Sequence, residues 1–576
     1  MSSDDVQLTL DFEAQLFIVG AGVRDTALCK QVPGMFARKD SVTDAAVVWR
    51  CPATWYHANV LRRVFGARLT YGQDIAQWAA AELAAEQARL AIKDMPVGDD
   101  GPLYTYQKRG VNWMFGTSAI LADDMGLGKT VQALTALEVT TDREFGDTRD
   151  AVVVSTNAML FKWAEEARIW APSWNPVVVT GTADKRRKLI ESAPPHSLFI
   201  VGWGSLRTHT RVAGYGSVSL TPEERQPKDL NHRNIAFVIA DESHKAKDPK
   251  AKQTRALWHL ADHATAVYPL TGTPVQNAYL DLWSQLRLVA PIEFANRGAF
   301  QDRYVFGFET DYGFQPVGWR AENKDELFRF VDQYLLRRTK DEVGLDLPPK
   351  TYDRRLIELT TAQAKAYKAM KKEALAEFDG ALLTAADPLT KAMRLSQIAS
   401  AVPVVEDGKV VALEDPSNKL DALVEILDEG DGQLVVFAAS KKLINLAEAR
   451  LDKKKVSSVR ITGDESPEVR GLHVQQFQEG LARVALCTFG AGSEGITLTA
   501  ASTAVFLQRP WSLVQSRQAE DRIHRIGQKS ESVVIIDLVS KGTVDVGVHQ
   551  TLVVKGEVFE SVTRDKARLR AMIEED

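Results

Sequence analysis

A glycine-rich stretch that ends in lysine and threonine is the clearest chemical signal in the sequence. Residues 121–130 read LADDMGLGKT, after the apolar run AILAD and at the start of the helix-like stretch KTVQALTALEV. Glycines let backbone N–H groups approach phosphate oxygens at a helix start, where the helix dipole favours negative charge. Lys129 would reach the terminal phosphates and Thr130 would hold Mg²⁺. The strict phosphate-loop pattern has glycine where this chain has Asp123, so the stretch alone also fits a plain strand–turn–helix connection.

Two adjacent carboxylates end a later apolar run. The stretch IAFVIADESH covers residues 235–244 and places Asp241 and Glu242 at the end of a predicted strand. An aspartate there can bind Mg²⁺ through its water shell, and the glutamate can take a proton from the attacking water. Taken alone, the pair also fits a strand followed by an acidic helix cap. A phosphate-loop-like stretch followed by an acidic strand in one α/β region predicts a site for ATP and Mg²⁺.

Two series of short apolar runs predict the elements that position these residues. The runs have the near-continuous character of strands buried on both faces, which is typical of parallel sheets covered by helices. The first series is AILAD, AVVVS, SLFIVGW and IAFVIAD; the second is QLVVFA, SVRIT, VALCT, TAVFLQ and SVVIIDLV. A charged and mostly helical region, about 285–430, separates them. We therefore predict an α/β protein with two parallel-sheet lobes and helical insertions between them.

The predicted domain boundaries follow composition and turn signals. The cluster MPVGDDGP reads as a linker between a small N-terminal α+β accessory domain and the first lobe. The predicted domains are a tail at 1–24, the accessory domain at 25–98, the ATP-binding lobe at 99–290, a helical protrusion and linker at 291–350, a second lobe at 351–560 with a helical insertion at about 360–430, and a C-terminal helical tail at 561–576.

Composition excludes several classes of protein. The 576 residues are 45% hydrophobic and 26% charged, and no apolar run approaches the length of about 18 residues needed to span a bilayer. Three cysteines without a Cys-x-x-Cys pair predict neither a disulfide framework nor a structural zinc site. The acidic first residues lack the layout of a secretory signal. The net charge of −5 means that any polyanion must be held by a local basic cleft.

The motifs together resemble the Snf2 family of superfamily 2 helicase-like ATPases over residues from about 103 to 560. LYTYQKRGVNWM at 103–114 resembles the family's glutamine motif, and the family's loop reads Asp-Glu-Met-Gly-Leu-Gly-Lys-Thr, so Asp123 is the family's own variation. FGAGSEGITLTAASTAVFLQRPW at 489–511 resembles the fifth motif. The resemblance implies two RecA-like lobes and an ATP site formed by Gln107, Asp124, Met125, Gly126, Leu127, Gly128, Lys129, Thr130, Asp241 and Gly495, with Thr130 and Asp241 holding Mg²⁺.

A pair of arginines in the second lobe completes the predicted site. QAEDRIHRIGQ at 518–528 places Arg522 and Arg525 three residues apart on a predicted helix, so both would point along one face. Two guanidinium groups can neutralise charge that develops on a γ-phosphate. A basic surface helix is the alternative, but the match to the family's QAxDRxHRIGQ motif implies that these arginines act with Lys129 and Glu242 in catalysis.

The resemblance also implies a nucleic-acid partner. We expect an ATP-dependent translocase on double-stranded DNA that acts on branched or protein-bound DNA, largely without sequence preference. The alternatives are a strand-separating helicase and a nucleotide-dependent binding switch that recruits a partner such as RNA polymerase. Candidate DNA contacts lie at 155–162, 202–206, 276–277 and 438–441, where ordinary loops are the alternative.

The remaining expectations concern the N-terminal region and the cellular setting. CKQVPGMFARKD, VVWRCPAT and VLRRVFG are similar in layout to the substrate-recognition module of annealing helicases and fork remodellers; a generic accessory subdomain is equally compatible. We expect a monomer with no membrane partner, with replication or recombination proteins as further partners. The expected location is the cytoplasm, in association with the nucleoid, or the cytoplasm of the host cell if the protein is viral. A nuclear location stays open.

Overall fold

The computed structural model divides the chain into two units, Met1–Arg338 and Thr339–Asp576. The structure describes residues 5–11, 16–21, 23–32, 35–39, 47–94, 102–140, 148–216, 219–274, 279–310, 313–344, 347–378, 386–406, 409–492, 496–525 and 527–552. The predicted C-terminal tail at 561–576 lies outside these residues. Within the described ranges, no helix combines the length and apolar character needed to cross a membrane.

The first unit begins with a small α+β domain. Its elements are β1 (Val6–Asp11), β2 (Leu16–Gly20), α1 (Thr26–Cys29), β3 (Phe36–Lys39), β4 (Val47–Pro52), α2 (Trp55–Phe65), β5 (Leu69–Tyr71) and α3 (Gln73–Asp94). The strands form one sheet in the order β3-β4-β2-β1-β5, in which only the pairing of β1 with β5 is parallel. The stretch at 1–24, predicted as a tail, contains β1 and β2, which lie inside this sheet. Their alternating apolar residues, such as Leu8 and Phe17, are fully buried in its core.

A seven-stranded parallel sheet forms the centre of the rest of the first unit. Its strands run in the order β14-β6-β11-β10-β7-β9-β8. The elements are α4 (Thr105–Met114), β6 (Ile120–Leu121), α5 (Lys129–Thr140), β7 (Asp150–Ser155), α6 (Leu160–Trp170), β8 (Asn175–Val179), α7 (Ala183–Glu191), β9 (Ser197–Gly202), α8 (Leu206–His209), α9 (Pro222–Arg225), β10 (Ile235–Asp241), α10 (Lys252–Ala261), β11 (Ala266–Leu270), α11 (Asp281–Val289), α12 (Arg297–Tyr304), β12 (Val305–Thr310), β13 (Gly313–Trp319), α13 (Lys324–Tyr334) and β14 (Leu335–Leu336).

The predicted strands of this sheet are confirmed, and the sheet explains their composition. Every residue of β7 and β9 is buried, as expected for inner strands covered by helices on both faces. Because the strands are parallel, the carboxyl ends of β6, β7, β10 and β11 meet at one edge of the sheet, the usual place for a ligand in such folds.

The second unit contains a six-stranded parallel sheet in the order β15-β22-β21-β18-β20-β19. Its elements are β15 (Lys350–Ile357), α14 (Thr361–Phe378), α15 (Ala386–Ile398), β16 (Val402–Glu406), β17 (Lys409–Glu414), α16 (Asn418–Asp428), β18 (Leu434–Ala438), α17 (Lys441–Lys453), β19 (Ser458–Ile461), α18 (Pro467–Gln478), β20 (Val484–Thr488), α19 (Phe489–Gly492), β21 (Thr503–Phe506), α20 (Leu513–Glu520) and β22 (Val533–Ser540). The predicted α/β class with two parallel-sheet lobes is confirmed.

The region at 285–430 contains strands in addition to the predicted helices. It contains two antiparallel hairpins, β12–β13 and β16–β17, and the strand β15, which pairs with β22 at the edge of the second sheet. These strands lack a buried apolar run, because much of their surface faces solvent; Phe306, Phe308 and Tyr352 are among the exposed large side chains. The apolar-run pattern that predicts strands buried on both faces therefore does not predict these strands.

Candidate nucleotide site

The loop between β6 and α5 has the backbone of a phosphate cradle. Gly126 and Gly128 have φ values of 89° and 72°, in the left-handed region that favours glycine. A Cβ on Gly128 would lie 2.5 Å from the Nε2 atom of Gln107, so only glycine leaves this approach open. The same Nε2 atom donates a hydrogen bond to the Leu127 carbonyl at 3.4 Å. The structure thus brings Gln107 to the loop, and the 12-residue helix α5 begins directly after it at Lys129.

Asp123 has a structural role that explains the departure from glycine. Its carboxylate is fully buried and lies 2.5 Å from the Arg338 guanidinium, whose Nε atom donates a second hydrogen bond at 3.0 Å. The Gln132 side chain donates to the same carboxylate at 3.2 Å. Asp123 therefore fixes the first corner of the loop through an ion pair.

The neighbouring Arg337 holds the next residue of the loop. Its guanidinium donates to the Asp124 carboxylate at 2.8 Å and to the carbonyls of Ala122 and Gly272 at 2.8 and 3.1 Å. Sequence reasoning missed both arginines, since they follow β14 more than 200 positions after the loop. The only sequence signal is an adjacent arginine pair in a predicted linker. Such a pair does not indicate which residues the arginines contact.

The other predicted loop residues line or support the cradle. Leu127 is fully buried, and a Cβ added to Gly272 would lie 2.9 Å from the Met125 side chain, so Met125 packs on the segment after β11. Thr130 is partly buried in the first turn of α5. Gly495, which was also predicted for the site, lies outside the described residues.

Lys129 places its ammonium at the centre of the loop. The Nζ atom donates to the carbonyls of Asp123 and Asp124 at 2.7 and 3.2 Å. Burial lowers the pKa of Lys129, although the carboxylates of Glu242 and Asp241 and of the two loop aspartates favour its charged form. A partly buried ammonium next to backbone N–H groups at a helix start fits the phosphate end of a nucleotide.

Asp241 ends β10 and is oriented by two residues from neighbouring elements. Its Oδ2 atom accepts hydrogen bonds from Ser155 Oγ at 2.7 Å and from Trp163 Nε1 at 3.0 Å. Burial and the adjacent Glu242 raise the pKa of this carboxyl. A divalent cation would offset both effects, so the residues fit Mg²⁺ held by Asp241 and the hydroxyl of Thr130. Sequence reasoning placed Ser155 among candidate DNA contacts and missed Trp163, because nothing in its local pattern indicates a carboxylate partner.

Glu242 adopts an unusual backbone conformation. Its φ of 51° and ψ of 48° are left-handed, which is uncommon for a residue other than glycine and recurs at functional sites. One oxygen, Oε2, lies 3.3 Å from Nδ1 of His244.

His244 connects this turn to the end of β11. Its Nδ1 atom lies 3.1 Å from Thr271 Oγ1, which also accepts a hydrogen bond from the backbone N–H of Thr273 at 3.0 Å. Burial, reinforced by Lys245 and Lys247, lowers the pKa of His244 to about 3. The imidazole is therefore neutral near pH 7 and can pass a hydrogen-bond change between the two segments without a change in charge.

In the second unit, Arg522 and Arg525 point toward one backbone group. Their Nη1 atoms donate to the Ile496 carbonyl at 3.2 and 3.3 Å. The prediction that both lie on a helix was wrong: α20 ends at Glu520, and the arginines lie in the turns that follow. Tertiary hydrogen bonds end the helix, since the Arg522 carbonyl accepts from the N–H of Leu498 at 2.9 Å.

Buried ion pairs support the arginine segment. Lys340 Nζ donates to the Asp521 carboxylate at 2.7 Å and to the His524 carbonyl at 2.7 Å, and Lys350 lies 3.2 Å from Asp521. Burial would raise the pKa of Asp521, but the two ammonium groups outweigh it and hold the pKa at about 2. Burial lowers the pKa of Arg525. These contacts fix the segment within its own unit.

Two family models match this chain. The family model of the SNF2-related domain matches residues 106–402, and that of the helicase conserved C-terminal domain matches residues 418–527. The first match contains Lys129, Asp241 and Glu242, and the second contains Arg522 and Arg525.

Individual relatives are similar over most of this chain. The human DNA annealing helicase and endonuclease ZRANB3 is 29% identical over 469 residues, which cover 79% of this chain and 39% of the relative. The Xenopus laevis SWI/SNF-related matrix-associated actin-dependent regulator of chromatin subfamily A-like protein 1 is 30% identical over 77% of this chain and 42% of its own length. The chain thus spans about two fifths of the length of these relatives.

A solved structure, described as the Sulfolobus solfataricus SWI2/SNF2 ATPase core in complex with dsDNA, covers 81% of this chain and 94% of its own, at 24% identity and a TM-score of 0.37. The SNF2-related match alone spans more than half of the 576 residues. The chain therefore belongs to the SNF2-related family of helicase-like proteins.

Proposed function

We propose that the protein is a DNA-dependent ATPase that moves along double-stranded DNA and remodels branched or protein-bound DNA. The observation that carries this proposal is the placement of Lys129, Asp241 and Glu242 together at the carboxyl edge of the first parallel sheet, in a chain of the SNF2-related family. Three charged groups with these roles are what hydrolysis of a nucleoside triphosphate requires.

The proposed chemistry assigns each residue one task. The glycine loop and Lys129 bind the phosphates, and Glu242 accepts a proton from the attacking water. Thr130 and Asp241 would hold Mg²⁺, which supplies charge neutralisation on the phosphate oxygens when it is bound. Arg522 and Arg525, which share one carbonyl partner, would turn toward the γ-phosphate and stabilise the charge of the transition state.

The polynucleotide half of the proposal rests on the family and on the relatives' names. The human relative is named a DNA annealing helicase, and the amphibian one a regulator of chromatin. Ser155 supports a link between DNA and the nucleotide site, because it begins a predicted DNA-contacting segment and also bonds to Asp241. A DNA contact on this segment would therefore change the orientation of the Asp241 carboxylate.

Phosphate release measured without DNA and with single-stranded, duplex and forked DNA tests this function. We expect ATP hydrolysis to rise with duplex or forked DNA and the stimulation to weaken as salt increases, because backbone contacts release counterions. A hydrolysis rate that saturating DNA leaves unchanged contradicts the proposal and favours a nucleotide-dependent binding switch. A labelled strand displaced from the fork identifies a strand-separating helicase instead.

A further inference from the structure

The carboxylate of Asp241 uses its two oxygens in different ways. Oδ2 accepts one hydrogen bond from Ser155 Oγ at 2.7 Å and another from Trp163 Nε1 at 3.0 Å. Each oxygen of an ionised carboxylate offers a pair of acceptor sites, so these two donors occupy both sites on Oδ2. No residue in the described ranges donates a hydrogen bond to Oδ1. Asp241 therefore has one oxygen committed to the protein and one that a ligand can use.

Both donors are held in place by the packing of the first sheet. Ser155 ends β7, which pairs with β10, and its side chain is fully buried. Trp163 lies in α6, and its side chain is fully buried in the apolar core of the sheet. A carboxylate that turned Oδ2 toward a ligand would leave both buried donors without an acceptor, which is costly. The packing therefore fixes which oxygen stays free.

A third neighbour fixes the backbone at the same position. Trp203 follows β9 and is 5% exposed, and its Nε1 atom donates to the Asp241 carbonyl at 3.0 Å. On the other side of β10, Asp241 pairs with Leu270 of β11. Because both the main chain and the carboxylate of Asp241 are held, the free oxygen has little freedom to move.

We propose that Ser155 and Trp163 are specificity-determining residues for the metal ion and make the site select Mg²⁺ over Ca²⁺. The inference rests on the proposed function, in which Thr130 and Asp241 would hold Mg²⁺ beside the phosphates. In this role neither donor touches the ion. Both act through Asp241, because they limit its carboxylate to a single free oxygen.

The two ions differ in what they require of a carboxylate. Mg²⁺ has a compact octahedral shell, keeps several of its waters and is bound by one or two carboxylates together with substrate phosphates. One free oxygen is enough for this, either as a direct ligand or as an acceptor from a bound water. Ca²⁺ takes more oxygen ligands at longer distances and readily uses both oxygens of a carboxylate. At Asp241 it could gain the second oxygen only by displacing Ser155 and Trp163.

Removing the two donors tests this inference through nucleotide binding. Ser155→Ala removes the hydroxyl, Trp163→Phe removes the N–H and keeps an aromatic ring, and a double variant combines them. Each protein is titrated with a fluorescent, non-hydrolysable ATP analogue in excess Mg²⁺, in excess Ca²⁺ and in EDTA. We expect the wild type to bind the Mg²⁺ complex more tightly than the Ca²⁺ complex. In the double variant the ratio of these two affinities should fall about 10- to 100-fold, the usual effect of removing groups that orient a metal ligand.

Further comparisons separate this effect from a loss of stability. Affinity in EDTA should match that of the wild type in every variant, because the phosphate loop uses neither donor. Trp283→Phe is the matched control, since this fully buried indole also donates a hydrogen bond, to the Phe294 carbonyl at 2.9 Å. It should lower the melting temperature and leave the metal preference unchanged. Ser155→Ala alone removes a single hydroxyl and should lower the ratio in the same direction, even if Trp163→Phe does not fold.

The outcomes distinguish this inference from the proposed function. An analogue that binds in none of the three conditions contradicts the proposed function and the inference with it. Binding with a metal preference that Ser155→Ala and the double variant both retain contradicts the inference alone. A wild type without preference between the two ions, or an equal change of the ratio in Trp283→Phe, also overturns it.

Discussion

At the scale of single residues, the nucleotide site depends on charges that burial makes costly. Lys129 has a lowered pKa, and Asp241 a raised one, because each is taken out of water beside the other groups of the site. Such opposite shifts in one cluster are typical of sites that bind or transform a charged ligand. The charges of Lys129 and Asp241 therefore depend on an oppositely charged partner in the site.

Lys129→Ala should abolish most nucleotide binding while the fold persists. The substitution removes a charged donor to the phosphates, which corresponds to about 1.5–3 kcal/mol of binding free energy. Titration with a fluorescent ATP analogue measures the affinity, and circular dichroism checks the fold. Lys188→Ala, at an exposed lysine of the same unit, is the control. Unchanged affinity in the Lys129 variant would show that the loop does not bind phosphate.

His244 gives a prediction of pH dependence. Its folded pKa of about 3 lies below the usual value of 6.5, so the unfolded chain binds more protons between these values and stability falls as the pH decreases through this window. Lowering the pH from 7 to 5 should therefore reduce the free energy of unfolding by about 2 kcal/mol through this single group.

Urea unfolding of the wild type and of His244→Gln at several pH values measures this effect. The variant lacks the titrating group, so its stability should decline less on acidification, and the two curves should converge by the predicted amount. Parallel curves would mean that the imidazole is not held in its neutral form by burial.

Sequence motifs point to the residues that we propose take part in the reaction, but not to the residues that hold them in place. Lys129, Asp241 and Glu242 could be predicted because phosphate and metal chemistry restricts residue type and spacing. Trp163 and Arg338 could not, since their roles depend on partners that lie far away in the chain. Such partnerships are properties of the folded sheet edge and leave no local pattern.

At the scale of elements, the loop after β6 is held by the end of β14 as much as by its own sequence. The Asp123–Arg338 pair fixes the corner where the strict pattern has glycine. Removing one partner of a buried ion pair leaves an uncompensated charge and lowers stability more than replacing both partners does. The two residues should therefore behave as a unit.

The variants Arg338→Met and Asp123→Asn test this behaviour. Arg338→Met alone should destabilise the first unit by about 3–5 kcal/mol, because it strands a buried carboxylate. The double variant should recover much of that loss in denaturant titrations. Arg287→Met, which opens a pair with the partly exposed Asp262 on the surface, should cost less and serves as the control. Additive losses in the double variant would show that the two residues do not form an isolated pair.

Most inner strands could be predicted from sequence, and the strands with a largely exposed surface could not. The inner strands of both sheets have near-continuous apolar runs, whereas the edge strand β15 and the hairpins β12–β13 and β16–β17 expose much of their surface. The end of α20 at Glu520 was missed because the turns that follow it make a long-range contact, the hydrogen bond from the Leu498 N–H to the Arg522 carbonyl, which no propensity records.

At the scale of the whole molecule, the two units carry different halves of the proposed reaction. The first contains the phosphate loop and the two carboxylates; the second contains the arginine segment with its own buried supports. The order of the motifs along the chain predicted this division, since each half falls in its own series of parallel strands. Neither unit alone contains all the groups that the proposed hydrolysis needs.

The most direct test of this account compares Arg525→Ala with the wild type in two assays, ATP-analogue affinity and DNA-stimulated phosphate release. Arg354→Ala, at an exposed arginine of the second unit, is the control. We expect unchanged affinity and a loss of turnover of about 10³-fold or more, as for an arginine that acts on the transition state. Turnover equal to that of the wild type would contradict the claim that one unit binds the nucleotide and the other drives its hydrolysis.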